Sequence, residues 1–539
     1  MEYTMSRYAN ISNAQIIQEE LNALSLDDAC NYFKDYLHVF QIDLPLAVSC
    51  INRLLEKNSH ALPTDARVLL EEMIKSAAQL ANFDPDILQL ADKFGLLPGA
   101  DIVTKVLEAT HVEPELFGQL RQTSMKYQGE TIRSACRSVL CQHPMAIRYA
   151  DLLLGLDLLE GRSPDESLQT LNCPKVLRPL WTKRLFDHFS TMGNDDAAWP
   201  LWKDIEAHVS DPFSFSRIAE MYRRAGQWDE AISYYEKALA LAPLQYPYKL
   251  RLESLQSPFT PDPSLLERLK VCIYLYSWNK ADVLGETLES LAACQIGSAR
   301  ISVLLNGCTD HSRQVVEQAR NQFPHNTFEI IELPVNIGAP AARNWLLSQP
   351  STHESDYVAF LDDDIYLQPD WLAHMLTVAE SDPTIGNVGC KVVFPGKYKL
   401  LQYLYRHVAI ANEETIRISK PIPAMQYDIG LYDVIRETRA VMGCQHLLRV
   451  ASLKDAPWYD IRYSPTQIDD TDHDLQLCLA GWKVMYCGTV TCEHRQNSGT
   501  SMRRQIGLAS QGNIVGNDTK FTFKWLEHYE SLRNLGAQS

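Results

Sequence analysis

The spacing of apolar residues changes once along this chain, and that change constrains the fold more than any other feature. Up to about residue 256, apolar side chains recur at helical intervals, as at Ala66, Leu69, Leu70, Met73, Ile74, Ala77 and Leu80. Asp, Pro and Gly punctuate these helices, and strand-like alternation is nearly absent. Then Ser257-Pro-Phe-Thr-Pro-Asp-Pro-Ser264 places three prolines in eight residues, which reads as a stiff linker. Beyond it, short apolar runs at Val271–Tyr276, Ile301–Leu305, Phe328–Leu333 and Tyr357–Leu361 alternate with helical segments at 281–293 and 311–323. Strand–helix alternation predicts a mostly parallel sheet covered on both faces. The expected organisation is an all-α domain over 1–200, a helical repeat over 201–256, a linker over 257–267 and an α/β domain over 268–539.

Residues 212–243 match the tetratricopeptide pattern. Phe215, Ile218, Ala219 and Tyr222 fall on a first helix, and Gly226 on the turn. Ala231, Tyr235 and Ala238 fall on a second helix, which Pro243 stops. Small residues let two helices approach, and the aromatics fill the groove between them. A weaker copy with Gly193, Ala198 and Trp202 lies 33 residues upstream. Such a module either offers a concave surface to a partner protein or acceptor, or serves only as helical packing; it also allows a homo-oligomer.

The 539 residues carry 67 acids against 50 bases, a formal charge of −17. That argues against a nucleic-acid binder or a protein held on anionic lipid by charge. No segment approaches the roughly 18–20 apolar residues that span a bilayer, and the first twenty residues have no apolar core of a secretory signal. The 13 cysteines show no Cys-x-x-Cys and no zinc-type spacing. They read as buried thiols of a cytoplasmic protein.

The chemistry centres on Tyr357–Asp364, an apolar strand that ends in Asp362, Asp363 and Asp364. Like charges so close repel and raise one another's pKa. A hard divalent cation relieves that repulsion and takes oxygen ligands. Open α/β sheets bind ligands at the carboxyl ends of their strands. The absence of Gly-x-Gly-x-x-Gly after the first strand, and of a Walker loop, weighs against a dinucleotide dehydrogenase or a P-loop ATPase.

Four segments in order make residues 268–525 resemble the family-2 glycosyltransferases of the GT-A fold. Leu275-Tyr-Ser-Trp-Asn-Lys280 is similar to that family's P-T-Y-N-R strand end, with Tyr276 in place of proline. Leu304-Leu-Asn-Gly-Cys-Thr-Asp310 is similar to D-N-G-S-T-D, with Leu305 in place of the first acid. Asn336-Ile-Gly-Ala-Pro-Ala-Ala-Arg-Asn344 resembles N-x-G-x-x-x-A-R-N. Phe360-Leu-Asp-Asp-Asp, followed by Pro369, resembles the Asp-x-Asp strand end. Further on, Asp469-Asp-Thr-Asp-His-Asp-Leu475 with Gly481 resembles E-D-x-D-L-x-x-R-L-x-x-x-G, read with Thr471 at the Glu and Asp472 at the base. Val490-Thr-Cys-Glu-His494 resembles a strand whose histidine ligates metal, and Phe521-Thr-Phe-Lys-Trp525 an F-x-x-K-W tail.

The resemblance implies a metal-dependent, inverting transferase that moves a sugar from a nucleotide donor, expected to be UDP-linked, to an acceptor hydroxyl. Mn²⁺ or Mg²⁺ would be held by Asp364 and His494, with Asp362 at the metal or the ribose. Tyr276, Ser277, Asn279, Asn306, Asp310, Asn336, Gly338, Arg343, Asp362 and Asp363 would line the donor site, and Asp472 would be the general base. Asp474 is expected to cap or orient the helix that begins at Leu475. Arg343 is equally readable as a structural ion pair, the 469–474 acids as a helix cap, and His494 as a structural histidine. Trp278 and Trp345 are expected in the core rather than as sugar platforms. A protein or peptide acceptor is expected, with a glycan or lipid-linked acceptor as the alternative. The rivals from other classes are a binding scaffold that has lost catalysis and a nucleotidyltransferase.

Overall fold

The computed structural model describes residues 21–22, 24–56, 62–124, 129–396, 399–406, 409–412, 415–417, 426–495 and 508–537. One compact unit ends at Gln256 and also takes in residues 426–431, and the other begins at Ser257. Among the described residues no helix is long and apolar enough to cross a membrane.

Up to Gln256 the described residues of the first unit form helices joined by turns, from Leu26–Val39 to Tyr246–Gln256. Its repeat-like pair is Pro212–Arg224 and Trp228–Leu241. Pro212 opens the first helix where its missing N–H is harmless, and the Asp211 side chain accepts from Phe213 N at 2.9 Å. Gly226 turns the chain at φ +76°. Ala219, Ala231 and Ala238 are fully buried between the helices.

A charge lies under this pair. Glu220 is fully buried and accepts from Arg251 Nε at 2.7 Å and from the Tyr235 hydroxyl at 2.8 Å, with Arg223 Nε at 2.5 Å. Burial alone would raise its carboxyl, but Arg251 and Arg223 outweigh it and hold it at about 2. A folded pKa below the unfolded value of about 4.3 gives stability that is full above pH 4.3 and lost as pH falls towards 2, in all roughly 3 kcal/mol. Glu220→Gln is therefore expected to lower the melting temperature at pH 7, with the gap to wild type closing near pH 2. Circular dichroism melts at the two pH values check this, and a gap that persists at pH 2 would show that charge is not the cause.

The second unit is a mixed sheet of the GT-A kind. Its strands are β1 Val271–Ser277, β2 Arg300–Asn306, β3 Phe328–Leu333, β4 Tyr357–Leu361, β5 Ile365–Tyr366, β6 Ile385–Val393, β7 Leu401–Tyr403, β8 Ala409–Asn412, β9 Thr415–Arg417, β10 Ile435–Thr438, β11 Gln445–Arg449 and β12 Lys483–His494. The order is β10-β12-β6-β11-β4-β1-β2-β3, with β5 on β12, β7 on β6 and β8–β9 as a separate hairpin. β1 to β4 are parallel neighbours, as the alternation predicts, whereas β11 enters antiparallel between β4 and β6. Sequence reading missed β11 because its short Gln-His-Leu-Leu-Arg run carries no alternation.

Both faces of the parallel half are covered. Val271, Ile273 and Leu275 pack with Ile301, Val303, Ala359 and Leu361 on one side. Cys272 and Tyr274 pack with Leu304, Val358 and Phe360 on the other. Successive residues thus serve opposite cores, which is why these strands read as unbroken apolar runs. The register pairs Leu275 with Leu361 and Ser277 with Leu305, so the carboxyl ends of β1, β2 and β4 finish at one edge.

A candidate metal and nucleotide-sugar site at the carboxyl edge

Asp362, Asp363 and Asp364 leave β4 at that edge. β12 brings His494 beside them, since its last residue pairs with Ile365 of β5. His494 Nε2 lies 3.1 Å from Asp364 Oδ1 and 4.0 Å from Asp362 Oδ2. Gln402 Oε1 sits 3.1 Å from His494 Nδ1, which orients the ring so that Nε2 faces the acids. One ligand atom from each of Asp362, Asp364 and His494 lies within 4.8 Å of the others. Two carboxylates and one imidazole suit a hard or borderline divalent cation, so these residues fit Mn²⁺ or Mg²⁺.

The acids are held from every side. Tyr276 donates its hydroxyl to Asp362 Oδ1 at 3.0 Å, and Asp362 N donates to Cys444 O at 2.8 Å. Lys280 Nζ contacts Asp363 Oδ1 at 2.8 Å and Asp364 Oδ2 at 3.2 Å. Burial raises the Asp362 carboxyl to about 6, against the pull of Arg343 and His494. Burial also opposes ionisation of Asp364, yet His494 and Lys280 hold that carboxyl well below the usual range.

Beside the acids the loops that follow β1, β2 and β3 are tied to one another. Asn279, at φ +52°, accepts from Thr309 N at 2.7 Å and ties the end of β1 to the loop after β2. Asn306 Nδ2 donates to Asn336 Oδ1 at 2.9 Å, and Ile337 N donates to Asn306 Oδ1 at 3.0 Å. A Cβ on Gly307 would lie 2.3 Å from the Val335 carbonyl carbon, so only glycine allows the two loops to meet. Gly338 turns at φ +83° into the helix Ala339–Leu347, which carries Arg343.

Arg343 is buried and forms an ion pair with Asp469. It also reaches Gly443 O at 3.3 Å and Asp362 Oδ1 at 3.8 Å, with the rings of Tyr276 and Tyr459 about its guanidinium. Asp469 begins the helix Asp469–Leu479. The next residue, Asp470, is half-buried and accepts from Gly443 N at 2.8 Å. Gly443 adjoins Cys444, the backbone partner of Asp362, so Asp470 belongs to the same edge as the acids.

Residues 272–454 match the family model "Glycosyl transferase family 2". This segment is a family-2 glycosyl transferase domain. Residues 214–245 match "Tetratricopeptide repeat". A poly-beta-1,6-N-acetyl-D-glucosamine synthase of Staphylococcus aureus (strain MSSA476) is 26% identical over 232 residues, 43% of this chain and 51% of that protein. The succinoglycan biosynthesis protein ExoM of Rhizobium meliloti is 32% identical over 124 residues, 22% of this chain and 37% of that protein. This chain spans about half the length of the first curated relatives it matches, and less of ExoM. Among solved structures, the mannosyltransferase PcManGT of Pyrobaculum calidifontis with GDP-Man and Mn²⁺ aligns at TM-score 0.36 and 16% identity, over 54% of this chain and 75% of that one. S. aureus TarS aligns at TM-score 0.31 and 19% identity, over 41% of this chain and 36% of that one.

Several expected site residues of the transferase domain have other work. Asp472 is fully buried. Its Oδ1 accepts from Tyr463 and Trp525 at 3.0 and 2.9 Å, and its Oδ2 from Gln476 and Lys524 at 2.8 and 2.6 Å. With four donors and no exposure it fastens the C-terminal helix Leu508–Leu526, and the expectation that it is the base is corrected. The signal was in the motif: counted back from Gly481 without a gap, E-D-x-D falls on Asp469, Asp470, Thr471 and Asp472. Asp474 lies inside this helix rather than at its start, and accepts from Val441 N at 2.8 Å and Asn387 Nδ2 at 2.6 Å. That corrects its expected capping role.

Asp310, an exposed residue, accepts from Ala281 N and from Ser312 N and Oγ at the starts of two helices, which ties those loops together. Asn279 and Asn306 likewise join loops. Ser277 is buried at the end of β1. Trp278 and Trp345, expected in the core, are about half exposed. Lys280 belongs to the first motif, but its role went unread because only the fold shows it against the acids.

Proposed function

We propose that this chain is a metal-dependent, inverting glycosyltransferase that moves a sugar from a UDP-linked donor to an acceptor hydroxyl. The observation that carries this reading is the convergence of Asp362, Asp364 and His494 at the carboxyl edge of a family-2 domain, with Asp470 at the same edge. A divalent cation held there would act as a Lewis acid on the leaving diphosphate. The chain's own residues do the rest. Tyr276 and Arg343 fix Asp362, Gln402 fixes His494, and the 306–308 and 336–338 loops shape the floor for the nucleotide. Asp470 takes the proton of the attacking hydroxyl, a role worth about 10²–10⁴ in rate. Its place one residue after Asp469 lets the buried Arg343 pair set its position.

A glycan is the preferred acceptor, supported by the printed functions of the curated relatives, a polysaccharide synthase and a succinoglycan biosynthesis protein. A protein or peptide acceptor is the second reading, supported by the tetratricopeptide match at 214–245. The break between compact units at Gln256 supports a helical module followed by a transferase domain after the 257–267 linker. Thirteen free thiols support a reducing, cytoplasmic setting.

UDP titrated calorimetrically with and without Mn²⁺ is expected to bind at least about tenfold more tightly with the metal, and Asp364→Ala to lose that difference. Equal affinity in both conditions would remove the metal from the reading. Incubation of the wild type with UDP-sugars and paired oligosaccharide and peptide acceptors then decides between the two acceptor classes.

A further inference from the structure

Lys280 lies just past β1, with its side chain about three-tenths exposed. Its ammonium bridges Asp363 Oδ1 at 2.8 Å and Asp364 Oδ2 at 3.2 Å. Asp364 therefore divides its two oxygens, Oδ2 towards Lys280 and Oδ1 towards His494. At 2% exposure Asp364 has little access to water in place of either partner.

We propose that Lys280 is an internal counter-ion that competes with the divalent cation for Asp364. This inference rests on the reading that Asp362, Asp364 and His494 hold the cation. Without Lys280, three adjacent carboxylates would repel one another at a strand end. With it, and with Arg343 and His494 close by, part of that negative charge is offset before any metal arrives. Lysine suits this role because its charge is compact and its stem flexible. The ammonium can leave Asp364 and keep Asp363.

Two consequences follow from charge alone. A dication on Asp364 sits close to an ammonium on the same carboxylate, so free metal binds weakly. The diphosphate of a nucleotide offers the displaced ammonium a new anionic partner, so metal and UDP bind cooperatively. Lys280 is thus a coupling device between the two ligands and not only a filler of the metal-free site.

The test is a calorimetric Mn²⁺ titration of the metal-free full chain, as wild type, Lys280→Met and Asp364→Asn. Lys280→Met is expected to bind Mn²⁺ about tenfold more tightly, since even well-screened repulsion between an ammonium and a dication a few ångströms apart reaches that size. Asp364→Asn is expected to lose binding. If Asp364→Asn loses binding while Lys280→Met is unchanged or weaker, the counter-ion role is overturned and the metal reading stands. If Asp364→Asn binds as wild type does, the metal reading itself has failed, and the inference with it. A second measurement needs no variant. Acetylation of Lys280 in the wild type, followed by mass spectrometry, is expected to speed up when Mn²⁺ is added. Equal or slower labelling overturns the proposal.

Discussion

Asp470→Asn is expected to keep the wild-type melting temperature and Mn²⁺-dependent UDP affinity while transfer falls about 10²–10⁴-fold. Asp472→Asn is expected to do the reverse. It should melt several degrees lower, yet turn over within about tenfold of wild type per folded molecule. The contrast follows from the surroundings of two acids on one helix. Asp470 is half-buried and keeps oxygen capacity beyond its bonds from Gly443 N and Thr471 N. Asp472 has none to spare, because Tyr463, Trp525, Gln476 and Lys524 fill both its oxygens in a fully buried setting. Its neutral isostere leaves Lys524 without half of its carboxylate pairing, and a broken buried pair is costly. Melts by circular dichroism and single-turnover transfer assays separate the two. Full turnover by Asp470→Asn would return the base to another acid.

The same two residues mark how far sequence reaches. β1 to β4 were legible because a strand buried on both faces leaves an unbroken apolar run, and Val271–Tyr276 and Tyr357–Leu361 are such runs. That the acids and His494 would meet was legible because their residue types narrow the chemistry on their own. What escaped was the partner of each group. Nothing in the order of residues says that Asp310 will cap two helices, or that Asn279 and Asn306 will tie loops. Those amides and that carboxylate carry the residue types of ligand contacts, and only the fold shows that they bond the neighbouring loops. Trp278 and Trp345 failed for the opposite reason. Large aromatics favour cores on average, but Trp278 lies just past the end of β1 and Trp345 near the end of the helix Ala339–Leu347, and each is about half exposed there. Lys280 shows the same limit from the other side: the motif contained it, yet its bond to Asp363 spans 83 residues.

Arg343 is where structure and chemistry are hardest to part, and a double-mutant cycle parts them. Arg343→Met is expected to cost about 3–5 kcal/mol, because it strands the Asp469 carboxylate in the interior. For a unit of this size that lowers the melting temperature by roughly 5–9 °C. Asp469 is 2% exposed, and burial already pushes its carboxyl up against the pull of Arg343. Asp469→Asn alone should also destabilise, since it leaves the guanidinium between Tyr276 and Tyr459 with Asp362 at 3.8 Å as its nearest carboxylate, besides Gly443 O at 3.3 Å. The pair Arg343→Met with Asp469→Asn removes both charges and should recover most of the loss, an interaction energy that additive sites do not show. Lysine at 343 is not a substitute, because the planar guanidinium stacks on two rings while it bonds. The recovered double variant then answers the functional question. If its Mn²⁺-dependent UDP affinity matches wild type, Arg343 acts only by fixing Asp469 and Asp362. If affinity stays low in a protein of restored stability, Arg343 meets the diphosphate directly, and one side chain both seats the helix that carries Asp470 and binds the leaving group.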